Sequence, residues 1–196
     1  MHTEWRCDEH GVVLPFRIAS HPDSPVITML TSKSRVPVWC PWPAPPAWTV
    51  TGLGWVGDDR SGVRATAVAC SGPAPLEGGP ADMIFIAEEP GVGLGARFAG
   101  LETLDPGPGM VSSPSDTKVR AAGHPTPLWT VDAPRDRSVY VGEAKGLWLF
   151  AIVWPSMAGY LLTDDVVLHD LSDSIPGELL FGAPSPYLHE GPQSSE

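Results

Sequence analysis

The sequence predicts an α+β fold: a mainly antiparallel, twisted sheet with one to three short helices. Three observations carry that expectation. Glycine and proline supply 21 and 23 of the 196 residues. Glycine forfeits backbone entropy in a helix, and proline lacks the N–H and clashes with the preceding turn, so long helices are nearly excluded. Strand-type runs flank short turns, as in Thr49–Val56 and Val63–Cys70 around GDDRSG, and Val139–Ala144 and Leu147–Trp154 around Lys145–Gly146. The repeated crossover helices that a doubly wound parallel sheet requires are absent from the pattern.

Taken in order, residues 1–20 read as the remnant of a zinc-knuckle-like segment, with Cys7 and His10 at ligand spacing. Residues 21–48 begin with a helix. Ser24 as N-cap and Pro25 in the first turn open it, Val26, Ile27, Met29 and Leu30 supply its apolar face, and Pro37 ends it. Pro37–Trp48 then holds five prolines and three tryptophans, which predicts extended, polyproline-like chain.

Residues 49–183 read as the sheet domain. Beyond the first hairpin, Met83–Glu88 is a short buried strand, and Gly91–Gly100 is a loop closing into one helical turn. Leu104–Asp116 is a Pro/Gly/Ser loop, and Thr117–Ala122 and Leu128–Val131 are further strands. Leu147–Trp154 is apolar at every position. Leu147, Leu149, Ala151 and Val153 fall on one face, with Trp148, Phe150, Ile152 and Trp154 on the other. Such a strand belongs at the centre of a sheet covered on both sides, and Trp148→Ala is expected to cost about 3–5 kcal/mol. A helical turn near Leu161–Asp165 precedes a strand at Val166–Leu171. Residues 184–196 read as a polar, disordered tail.

Charge and cysteine usage narrow the function. The formal net charge is −11, from 12 basic and 23 acidic residues. Scattered basic residues in an acidic chain cannot replace phosphate counterions, so neither nucleic acid nor an anionic membrane surface is an expected partner. Three cysteines, Cys7, Cys40 and Cys70, do not make a disulfide framework. The N-terminus has no apolar signal core, and no apolar run is long enough to span a bilayer. The expected location is the cytoplasm.

At GDDRSGVRATAVACSGP, AEEPGVGLGARFAG, AAGHPTPLW and GEAKGLWLFAIVWP the chain resembles an uncharacterised family of actinobacterial proteins. The likeness runs from about Trp5 to about Leu171. The family's usual start resembles a zinc ribbon, with a Cys-x-x-Cys pair ahead of the C-x-x-H found here as Cys7 and His10. That first pair is missing, so either the native start lies upstream or the site is lost. Some relatives carry the label phosphotransacetylase, which no phosphate-binding set in this sequence supports.

Each candidate site competes with a structural explanation. Cys7 and His10 are half of a zinc site, and no cofactor is expected from two ligands where four are needed. Gly91, Gly93 and Gly95 follow a strand as in a nucleotide loop, but the spacing is wrong and Glu88–Glu89 would repel phosphate. Asp58, Asp59 and Arg60 suit a solvated turn better than a Ca²⁺ or acid–base site. Cys70 is either a nucleophile approached by His124 or a small core residue. Trp39, Trp42 and Trp48 form either a rigid aromatic binding strip or a buried band across the sheet.

The leading expectation is a non-enzymatic binding or interaction module whose partner is a protein or a small molecule. The alternative is a small-molecule enzyme using Asp58, Asp59, Glu88 and Glu89 near Arg97 at the sheet rim. A deep pocket gathering those carboxylates would favour the enzyme.

Overall fold

A computed structural model describes residues 6–7, 11–12, 15–19, 21–58, 60–107, 114–163 and 165–190. Two short strands, β1 (Arg6–Cys7) and β2 (Gly11–Val12), pair antiparallel with each other. The rest is built on one ten-stranded sheet. Its strands are β3 (Phe16–Ile18), β4 (Trp39–Pro41), β5 (Thr49–Asp58), β6 (Gly62–Ala74), β7 (Gly79–Glu88), β8 (Thr117–Ala121), β9 (His124–Thr130), β10 (Ser138–Ala144), β11 (Leu147–Trp154) and β12 (Val167–Asp170). In hydrogen-bonding order they run β3-β5-β6-β7-β11-β10-β9-β8-β12-β4. Every pairing is antiparallel except β8 with β12. The fold is therefore α+β, as the turn-flanked strand pattern requires.

Both expected hairpins are present. β5 pairs with β6 in a register that opposes Asp58 to Gly62 and shifts twice along its length. β10 pairs with β11 from Ala144↔Leu147 to Ser138↔Val153. The connecting Lys145 and Gly146 have φ of 56° and 76°. Positive φ at both central residues is the geometry whose twist matches a two-residue hairpin, and glycine takes it without a Cβ penalty.

β11 sits between β7 and β10, and its two faces feed two different cores. Leu149, Ala151 and Val153 join a core closed by Ile27 and Leu30 of helix α1 (Ser24–Lys33) and by Trp39, Cys40 and Trp48. Phe150, Ile152 and Trp154 join a second core. Helix α2 (Leu94–Ala99) covers it with Leu94, Phe98 and Ala99, and Leu188 lies beside them. A seven-residue 3₁₀ segment at Ser156–Leu162 adds Ala158 and Leu162 to the first core.

The sheet curls back on itself. β4 is at the end of the hydrogen-bonding order, yet it packs against β6 and β7. Asp170 holds that return. Its Oδ1 accepts from the Val38 and Ser172 N–H groups at 3.0 Å each, and its Oδ2 accepts from Lys145 Nζ at 3.0 Å. Burial alone would raise the Asp170 pKa, but the Val38 N–H, the Lys145 ammonium and the Ser172 N–H outweigh it and hold the carboxyl below its ordinary value. A carboxylate with a depressed folded pKa stabilises above its unfolded pKa, and that contribution is lost as pH falls through the folded one. Asp170→Asn is expected to cost about 1 kcal/mol at pH 7 and to flatten the loss of stability in acid below about pH 4. Urea unfolding at pH 7 and pH 3 measures both effects. An unchanged acid slope would show that Asp170 is not the group responsible.

Three local expectations are corrected. The N-cap of α1 is Asp23, whose Oδ1 accepts the Val26 N–H at 2.8 Å, so Ser24 is the first helical residue. Pro37–Trp48 is not extended throughout. After β4 it turns, closed by the Trp48 N–H to Pro45 O bond at 3.0 Å, with Ala47 at φ 64°. The chain from 184 does not leave the fold at once. Pro186–Glu190 form a short helix, α3, with Leu188 fully buried.

The segment leading to α3 lies along the free edge of β5. Val50 N donates to Leu180 O, Gly182 N to Val50 O, and Ser185 N to Thr51 O, at 2.9–3.0 Å. β3 occupies the neighbouring stretch of that edge, from Gly54 to Val56. Covering an exposed strand edge in this way removes a template for aggregation.

Candidate functional site

Of the four carboxylates expected at one rim, the three described, Asp58, Glu88 and Glu89, each take a partner of their own. Asp58 closes its own turn. Its Oδ1 accepts from Ser61 N, Ser61 Oγ and Arg60 N at 2.7–2.9 Å, which holds its carboxyl below the ordinary value. Arg60 follows in the same exposed turn, and Asp59 lies outside the described residues. Glu89 pairs with Arg64 at 2.6 Å. Arg97 sits over the Phe16 ring, 5.7 Å from its centroid.

Glu88 is fully buried and points into the fold. Its Oε2 accepts from Leu94 N at 2.7 Å and Gly95 N at 3.1 Å, so it caps the first turn of α2. In a nucleotide loop, N–H groups at this place would face a phosphate. Here the chain's own carboxylate takes them. Burial raises the Glu88 pKa to about 7, against the pull of the Gly95 and Leu94 N–H groups and with help from the Asp105 charge. Its Oε1 has no hydrogen-bond partner among the described residues.

Cys70 is also buried, and its sulfur neighbour is Cys40. The hydrogen bond with Cys40, burial and the Asp82 charge all push its pKa up. A protonated, enclosed thiol is a poor nucleophile. His124 is exposed on β9, four places from β6 in the sheet order, so the expected alternative of a Cys70–His124 pair does not form. Cys7 has only its backbone described, and His10 lies outside the described residues. Among the described residues no group of three or more His, Cys, Asp or Glu stands close enough to hold a metal ion.

The tryptophans divide. Trp39 is buried in the first core, with Lys145 Nζ 5.3 Å from its ring centroid. Trp48 is buried too, its Nε1 donating to Pro73 O at 3.2 Å. Its ring lies flat on Gly72, where a Cβ would sit 2.4 Å from it. Only glycine at 72 permits that approach. Trp42 stays half-buried at the surface.

Trp42 and Trp48 line a cavity of about 330 Å³. One wall is the turn from Pro41 to Trp48, the floor includes Val50 and Cys70, and the opposite wall is Glu178–Leu180. The sequence pointed to Trp42 and Trp48. It gave no sign of the second wall, because Glu178–Leu180 reaches the site only through its pairing with β5. A wider and more open groove of about 790 Å³ lies between Gly100–Pro106 and Trp129–Pro134. It is larger but shallow and acidic, and its Asp116 is already bonded to Thr130 N at 2.7 Å. Enclosure and apolar walls, rather than size, mark the tryptophan cavity as the better ligand site.

A curled, mainly antiparallel sheet with an aromatic cavity at its covered edge defines an α+β domain with a ligand-sized site and no assembled catalytic cluster among the described residues. The chain belongs to DUF6758, a family of unknown function, which it matches over residues 1–188. The matched span runs through Glu178–Leu180 and ends at the buried Leu188, so the second wall of the cavity is part of the shared sequence. No curated protein and no solved structure matches the chain. Among the described residues no helix is long and apolar enough to cross a membrane.

Proposed function

We propose that this protein is a non-catalytic, cytoplasmic binding module, and that its ligand is a small, largely apolar molecule held between the Pro41–Trp48 turn and Glu178–Leu180. The observation that carries this reading is the cavity itself. Its volume of about 330 Å³ falls at the lower end of ligand sites, and its walls are mainly apolar. Proline fixes much of the turn's backbone in advance, so a ligand meets a wall that loses little entropy on binding. Of the carboxylates named for an enzyme, the described ones are already engaged: Asp58 closes a turn, Glu89 is in an ion pair and Glu88 caps a helix.

A neutral probe tests the reading. 2-Naphthylmethanol is expected to bind with a Kd in the submillimolar range and to change tryptophan fluorescence. Ala44 lines the cavity, and Ala44→Trp is expected to weaken binding by about tenfold or more by filling it. Binding unaffected by Ala44→Trp, in a variant with native-like circular dichroism, would place the probe elsewhere and overturn the reading.

A further inference from the structure

Resting on the cavity reading above, we infer that the ligand class is an organic cation: an apolar, preferably aromatic body carrying a protonated amine. Three features of the same site point there. Two tryptophans line the cavity, Trp42 half-buried and Trp48 buried. An indole face is the strongest aromatic partner for a cation, because its quadrupole is negative above the ring. Glu178 is the one charged side chain among the residues lining the cavity, and it is exposed at the rim. No Lys or Arg stands on those walls to receive an anion or repel a cation.

The placement separates two roles. The apolar body fills the space over Val50 and Cys70, where burial favours it and no polar group demands a partner. The ammonium stays near the mouth, close to water, where desolvation costs least. There the Trp42 face and the Glu178 carboxylate both favour positive charge. A chain of net charge −11 adds a long-range field of the same sign, which raises the local concentration of cations and speeds their approach. A carboxylate-bearing ligand of the same shape meets the opposite field at every distance.

Three probes of one shape separate the inference from the reading beneath it: 2-naphthylmethylamine, 2-naphthylmethanol and 2-naphthoate, each titrated calorimetrically at pH 7 and low salt. The amine is expected to bind about tenfold more tightly than the alcohol, and the naphthoate more weakly than either. Raising the salt is expected to weaken the amine and leave the alcohol unchanged. Glu178→Gln is expected to bring the ratio of amine to alcohol affinity close to one. Glu178 is exposed and glutamine keeps its shape, so this variant tests charge rather than folding. Equal binding of amine and alcohol, with Glu178→Gln silent, would overturn the cation inference and leave the cavity standing. Failure of all three probes to bind would overturn both.

Discussion

Trp154→Ala is expected to destabilise the protein by about 3–5 kcal/mol, the usual cost of emptying a buried tryptophan site. Trp154 ends the central strand β11 and is 1% exposed. Its ring stacks on Tyr187 of α3, with centroids 4.6 Å apart and planes 15° apart. The Arg137 guanidinium lies 5.2 Å from the centroid of the same ring. Truncation therefore opens a cavity in the second core and removes the support of the C-terminal segment together. Limited proteolysis is expected to cut that segment earlier in the variant. Trp154→Phe is expected to cost less, about 1–2 kcal/mol, because it also removes an indole N–H that is buried without a hydrogen-bond partner among the described residues. The midpoint of denaturant unfolding measures both, and a Trp154→Ala loss below about 1 kcal/mol would contradict the packing. Trp148, the residue expected from sequence to carry this cost, lies at the half-buried start of the strand.

Glu88→Gln is expected to change how stability depends on pH. Burial raises the Glu88 pKa from 4.5 to about 7. A carboxyl whose folded pKa lies above its unfolded one binds its proton more tightly when folded. Its contribution to stability is complete below the unfolded pKa and is lost as pH rises through the folded pKa. Each pKa unit is worth about 1.4 kcal/mol, so the wild-type protein loses about 3 kcal/mol from this group between pH 4.5 and pH 7. Glutamine keeps an oxygen for the Leu94 and Gly95 N–H groups and carries no charge to desolvate. The variant is therefore expected to match wild type near pH 5 and to exceed it by about 1–3 kcal/mol at pH 8. Parallel stability profiles from pH 5 to pH 8 would show that Glu88 does not titrate in this range.

What the sequence reveals and what it hides follow from the range of the interactions. The β10–β11 hairpin is legible because its information is local: an apolar run, a two-residue turn and a glycine at the second turn position. The role of Leu147–Trp154 as a central strand is legible because apolar side chains on both faces admit no exposed position. β4 and β3 are three residues each, and they are strands only because distant partners receive them. β9 is longer than its pattern because Pro125 and Pro127 read as breaks. They fall where β9 has β8 as its neighbour and β10 pairs only from Leu128, so a missing N–H is tolerated.

The same distinction separates the site residues. Three tryptophans in a proline frame announce an aromatic feature, but not which of them stays accessible. That depends on Gly72 under Trp48 and on Lys145 above Trp39, both far away in sequence. The acidic pair Glu88–Glu89 reads as a surface feature because charged neighbours usually are. A buried carboxylate capping a helix from the preceding strand leaves no mark in composition. The cavity's second wall could not be read at all, since it is made by the last-placed segment lying on the edge of β5.

The antiparallel pairing of β4 with β12 has a consequence for synthesis. Residues 39–41 emerge from the ribosome well before their partners at Leu168–Asp170. Until then the Trp39–Trp48 stretch has neither its strand partner nor the anchor of Asp170, and its indoles face solvent. Pairings between distant residues form slowly, because a large loop must close before any contact rewards it. Nascent chains are therefore exposed to capture at this stretch until residues 168–170 emerge, and a chaperone that holds aromatic segments would engage here. Premature termination before residue 167 would leave Trp39–Pro41 without its strand partner and Val38 without the Asp170 carboxylate.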